Sequence, residues 1–315
     1  MTDKPYEPLL NRERHSGDAQ EHYARQLELV ADVVNYGTNL IPSCLASSDR
    51  QLGDVIVTSV LLKQVVLMLD ALGVLVREAC ADASILQARA LFEASLFLEW
   101  MLTDDQEKKA LYYYVANVRK ERQWVKRGVT DDPEQTQFFR NLGEFSDALK
   151  PTRQKLSQFA PDRLREIDEF LAKEPYASIN REYETIRGNR PFEPAWYAPL
   201  GESSVRGVAK SLGRLHEYEI FYVQSSETMH ASRHGPHIKI SQNQVKLEPI
   251  RHLEGVGTTL RFALSVTFHT YQKVLGRYRP GQLAEMQRRY VNEWREAFMS
   301  IPQVTYKKSG SATTI

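Results

Sequence analysis

Through most of the chain apolar residues recur three and four positions apart, the period of an amphipathic helix. The pattern predicts helices at about 18–39, 50–80, 83–102, 105–127, 134–148, 151–158, 161–173, 203–233, 254–277 and 280–298. The stretch "TDDQEKKALYYYV" marks a helix start, with Thr103 as N-cap and Asp104, Asp105 and Glu107 in the first turn. Pro161 in "APDRLREIDEFLAK" suits the first position of another. Alternation of the strand type occurs once, in "HIKISQNQVKLEPI". There Ile238 and Ile240 flank Lys239, Val245 and Leu247 flank Lys246, and "SQNQ" supplies a polar turn.

The expected class is therefore mainly α: an up-down helical bundle with one short β-hairpin at about 237–250. Its core is expected from the helices at 50–80, 83–102, 203–233 and 254–277. Residues 1–17 read as an N-terminal tail, 18–298 as a single helical domain with an irregular middle segment at about 128–202, and 299–315 as a C-terminal tail. Within the middle segment, "IRGNRPFEPAWYAPLGE" carries Pro191, Pro194 and Pro199, which exclude a regular helix. A loop of that length is a connector or a lid; Phe192, Trp196 and Tyr197 suggest that it packs down.

"VIVTSVLLKQVVLMLDALGVLV", Val55 to Val76, has the length of a membrane span. Lys63 and Asp70 lie inside it, and each would be costly in lipid. It reads instead as a central helix buried nearly all round. Composition supports a soluble protein: 42% hydrophobic and 26% charged residues, with 41 Lys and Arg against 40 Asp and Glu. That balance argues against a DNA-coating protein or a polybasic membrane binder. The polar start "MTDKPYEPLLNRERHSGD" lacks a signal-peptide core, and two cysteines, Cys44 and Cys80, show no metal spacing, so a cytoplasmic protein with reduced thiols and no cofactor is expected.

Candidate chemistry lies in two places. On the predicted helix 203–233, Val205, Val208, Leu212 and Leu215 form an apolar stripe. Continued at about 100° per residue, the stripe reaches Glu219, Tyr222, Val223, Ser226, His230 and Arg233. A core-directed face that turns polar needs polar partners, a solvent-filled pocket or a ligand. Cations before Gly235-Pro236 match a helix C-terminus, which accounts for Arg233 and His234 but not for Glu219, Tyr222 or Ser226. On the central helix "ILQARALFEASLFLEWML", the ionic residues Arg89, Glu93 and Glu99 interrupt an apolar surface. Arg89 and Glu93, four apart, share a face. They either pair with groups on another helix, such as Lys63, His230 or Tyr222, or face a cleft where Arg89 would hold an anion.

Other signals have plainer explanations. The aromatic and basic "LYYYVANVRKERQWVKR" could bind nucleic acid but reads better as an amphipathic helix with inward tyrosines. The Gly-x-Gly of "EGVGTTLR" lacks the rest of a phosphate loop, and Thr258 serves as an N-cap. His230, His234 and His237 have no carboxylate or cysteine at ligand spacing, so no metal is expected.

"RALFEASLFLEWML", followed downstream by "YVQSSETMHAS" and a short hairpin, resembles an uncharacterised bacterial family, domain of unknown function 5677, over about residues 50–275. The resemblance sets Arg89 and Glu93 on an Arg-x3-Glu helix and Tyr222, Ser226 and His230 on a Tyr-x3-Ser-x3-His helix; it carries no activity. More distantly, the arrangement is similar to HEPN-type helical bundles, many of them metal-independent ribonucleases of toxin and phage-defence systems. Their Arg-x(4–6)-His motif is not reproduced, since only three residues separate Arg233 from His237, Gly235-Pro236 among them. Two readings stay open. In one, His230, Arg89 and Glu93 are catalytic, Tyr222, Ser226 and Glu219 bind substrate, and the partner is RNA. In the other, the polar residues are structural and the protein is a non-catalytic interaction module, such as a homodimer. Neither involves a membrane or DNA.

Overall fold

The computed structural model describes residues 10–48, 51–146, 148–225, 238–241, 244–247, 249–306 and 312–314. Its helices, in chain order, are α1 (Arg12–Ala46), α2 (Val57–Arg77), α3 (Ala81–Met101), α4 (Gln106–Lys126), α5 (Pro133–Leu142), α6 (Lys150–Leu171), α7 (Tyr176–Arg187), α8 (Val205–Ser211), α9 (Leu215–Glu217), α10 (Val256–Tyr278), α11 (Leu283–Arg289) and α12 (Arg295–Met299). Their described residues fall into two compact units. One draws on 1–51, 58–104 and 208–315, the other on 52–57 and 105–207.

The first unit is a helical bundle whose core lies on α1, α2, α3 and α10. Asn11 starts α1 by accepting the Arg14 backbone N–H through its side chain at 3.0 Å. α1 runs well beyond the predicted 18–39 at both ends. Glycines let it approach its neighbours: a Cβ on Gly73 of α2 would lie 2.9 Å from Val30 of α1, and one on Gly37 would collide with Tyr271 and Val66. Tyr271, fully buried on α10, donates its hydroxyl to the Val33 carbonyl at 3.0 Å. α3 and α10 are joined by Ser95 and Thr270, whose hydroxyls lie 2.8 Å apart.

The fold class needs correction. Ile238–Ser241 and Gln244–Leu247 pair antiparallel, Ile240 opposite Val245. Yet Val245 and Leu247, the apolar residues of the second strand, are 66% and 80% exposed. The alternation that predicted the hairpin thus leaves the apolar residues of its second strand in solvent rather than on the core. A second two-stranded pair, Val304–Tyr306 with Ala312–Thr314, falls in the expected tail. Neither joins a larger sheet, so the class is a helical bundle without a hairpin as part of its core.

Four helix predictions also change. The helix expected at 203–233 breaks after α8, where Gly213 takes φ +72°. It resumes as α9 and passes through a π turn at Tyr218–Tyr222. Thr103 does not cap α4; its hydroxyl donates to the Trp100 carbonyl at 2.7 Å and closes α3. α10 starts after Gly255 at φ +82°, not at Thr258. Pro161 lies inside a continuous α6 rather than opening a new helix.

The second unit consists of α4 to α7 and the loop that follows. Arg119 of α4 is almost fully buried. It donates from Nε to Glu193 at 2.8 Å and from Nη1 to Glu184 at 2.7 Å, and also bonds Asn180. Arg187 meets the other oxygen of Glu193 at 2.9 Å. Tyr183 donates its hydroxyl to the Trp196 carbonyl at 2.6 Å. These contacts pin the proline-rich loop. Trp196 and Tyr197 pack down as expected, while Phe192 is exposed.

Candidate functional site

α3 places its polar residues by period. Arg89 and Glu93 are one turn apart; Ser95 and Glu99 follow a turn or two further on. Each pair meets a different part of the chain, and the meeting points form two clusters in the first unit.

In the first cluster Tyr222, at the end of the π turn, stands between Arg89 and Glu93. Arg89 donates from Nη2 to the Tyr222 hydroxyl at 2.7 Å, and that hydroxyl donates to Glu93 Oε2 at 2.7 Å. The Arg89 guanidinium lies 4.1 Å from the Tyr222 ring centre, a cation–π contact. Tyr218 stacks on the same ring at 4.8 Å, and Phe221 stacks on Phe262 of α10 at 3.8 Å. Burial first, then the Glu93 carboxylate, pushes the Tyr222 phenol well above its ordinary pKa. Tyr222 is therefore a neutral donor at physiological pH, and Glu93 accepts its hydrogen bond.

The second cluster centres on Glu99. Arg214, the first residue after the Gly213 break, donates from Nη1 to Glu99 at 3.0 Å and to the Ser95 hydroxyl at 3.2 Å. Its Nε and Nη2 form a fork onto Glu217, at 2.6 and 3.0 Å. His269 Nε2 lies 3.0 Å from the other Glu99 oxygen, and Lys273 Nζ lies 3.7 Å from it. Burial pushes the Glu99 pKa up, but the His269 and Arg214 contacts outweigh it and hold the carboxyl below its ordinary value. His269 also borders an open cleft of about 350 Å³ with Ser265, Gln272, Gln287, Tyr290 and Phe298.

Of the predicted site residues, Arg89, Glu93 and Tyr222 come together. Glu219 is exposed rather than on a core-directed face. Its predicted phase assumed one unbroken helix, and both the Gly213 turn and the π turn reset that phase. Ser226 and His230 lie outside the described residues, as do Arg233, His234 and His237. Arg214, Glu217 and His269 were not predicted. Their signal was Glu99: a carboxylate on an apolar helix requires a cation, and Arg214 beside a glycine break was an available one. Among the described residues no three His, Cys, Asp or Glu side chains gather as a metal site.

No curated protein and no solved structure matches the chain. A family model does match, over residues 55–243, which hold Arg89, Glu93, Glu99, Arg214 and Tyr222. The chain belongs to that family, the family of unknown function DUF5677.

Proposed function

We propose that this protein is a non-catalytic helical interaction module in which the polar residues of α3 fix the packing of the first unit. One observation supports this above others: the ionic residues of α3 meet complementary groups on other elements at hydrogen-bond distance. Tyr222 takes Arg89 and Glu93, and Arg214 and His269 take Glu99. A paired buried charge gives little net stability against an apolar replacement, but removing one partner leaves a costly orphan. Such a network therefore selects one arrangement of helices over others.

A second reading is favoured by one feature, the half-buried state of Arg89 and Glu93. A guanidinium and a carboxylate joined by a phenol are groups that RNA cleavage without a metal requires. The ribose 2′-hydroxyl would attack the adjacent phosphorus and give its proton to Glu93. Arg89 would carry the charge on the non-bridging oxygens, and the 5′-oxygen would leave with a proton from His230. On this reading the protein is a ribonuclease-like toxin or phage-defence effector.

Incubating the purified protein with RNA in the presence of a chelator separates the two. The module reading expects no cleavage that depends on Glu93, and lower stability for Glu93→Gln and Tyr222→Phe. RNA cleavage by the wild type that disappears in a Glu93→Gln variant of unchanged stability would overturn it.

A further inference from the structure

α2 is the most apolar of the long helices, and it was expected to be buried nearly all round. Instead Val60, Leu67 and Val74 are 52%, 49% and 49% exposed. They stand seven residues apart, so they lie within about 40° of one another on the helix surface. Lys63 and Asp70, both exposed, flank this stripe on one edge; Gln64 and Ala71 flank it on the other. Single exposed apolar residues need no explanation. A line of them at seven-residue spacing has the form of a helix–helix seam.

We propose that this face of α2 binds a second copy of the chain, with the two α2 helices antiparallel about a two-fold axis at Leu67. The proposal rests on the interaction-module reading and names its partner. The order Val60, Lys63, Leu67, Asp70, Val74 has near-equal spacing from either end, with valine at both ends, leucine at the centre and a cation and an anion exchanging places. A two-fold rotation at Leu67 sets Val60 against Val74 of the second copy. It keeps the charged edge of one helix beside the charged edge of the other, so Lys63 meets Asp70 of the second copy, twice by symmetry. A parallel pair would set the charged edge against Gln64 and Ala71 and match no charges. α2 is also long and apolar enough to cross a membrane by length and composition. In lipid, however, Lys63 and Asp70 would be desolvated without a partner, whereas in the antiparallel pair each has one. The seam from Val60 to Val74 spans about 21 Å, small for a permanent interface, so the dimer depends on concentration.

Sedimentation velocity of the full chain over a concentration series tests this. The expected result is a rise from the 36.2 kDa chain mass to twice that value. Leu67→Glu is expected to stay monomeric throughout. Lys63→Asp sets like charges across the seam and is expected to weaken the dimer about tenfold or more. The exchange Lys63→Asp with Asp70→Lys restores the pairing and is expected to recover it. A wild-type chain that stays monomeric overturns the proposal. So does a dimer that Leu67→Glu leaves intact, a double exchange no tighter than Lys63→Asp alone, or monomeric chain that co-sediments with phosphatidylcholine vesicles. Should Leu67→Glu fail to fold, the two charge variants at exposed positions decide. These masses are independent of RNA cleavage, so a failed dimer and a failed module reading are told apart.

Discussion

Tyr222 is the residue on which the first cluster depends, because its hydroxyl accepts from Arg89 and donates to Glu93. Tyr222→Phe removes both bonds while keeping the ring that carries the stacking. Urea denaturation should show a loss of about 1–3 kcal/mol, the cost of leaving buried polar groups unmet. Arg214 is more deeply enclosed, and Arg214→Ala takes the fork from Glu217 and one cation from Glu99. Glu99 keeps His269 and Lys273, so the loss expected in the same assay is about 3 kcal/mol, the lower end for breaking a buried ion pair. Glu99 adds a pH dependence. Its carboxyl is held below the ordinary value of 4.5, so the folded state binds its proton less readily than the unfolded chain. The stabilisation is present above that ordinary value and is lost as pH falls through the lower folded value. Glu99→Gln should therefore flatten the acid limb of a plot of stability against pH, and an unchanged limb would contradict the assignment.

The elements show which parts of this could be read from sequence. Helix period located α2, α3, α4 and α10, and it placed Arg89 and Glu93 on one face of a central helix with Tyr222 as a candidate partner. It failed where backbone conformation departs from the α period. Gly213 at φ +72° and the π turn at Tyr218–Tyr222 reset the phase, so Glu219 lost its predicted direction and Arg214 escaped notice. Thr103 and Pro161 failed for a related reason. A hydroxyl can close the preceding helix as readily as cap the next, and a proline can be carried inside a helix that packs well. Arg119 was unreadable because its acceptors, Glu184 and Glu193, lie far along the chain. Gly213 gives a direct check of the break. No side chain crowds the position, so Gly213→Ala should cost only the left-handed backbone, about 1–2 kcal/mol in chemical denaturation. Gly37→Ala tests the opposite case, where a methyl group strikes Tyr271 and Val66; overpacking there should cost about 1–3 kcal/mol.

The first unit of the molecule combines two features that the interaction-module reading explains together. Inside it, the polar groups of α3 are matched to partners on other elements and specify one packing. Outside it, α2 presents an apolar line with complementary charges beside it. A catalytic reading of α3 makes a different statement about free energy. Groups arranged for a reaction are commonly held at some expense to stability, so replacing them leaves a protein equally or more stable. Groups arranged for packing lose stability when replaced. The unfolding free energy of Glu93→Gln and Tyr222→Phe beside the wild type therefore bears most directly on what α3 does. The interaction-module reading predicts that both variants unfold at lower denaturant concentration with unchanged slope, by about 1–3 kcal/mol for Tyr222→Phe. Variants as stable as the wild type, or more so, would contradict it.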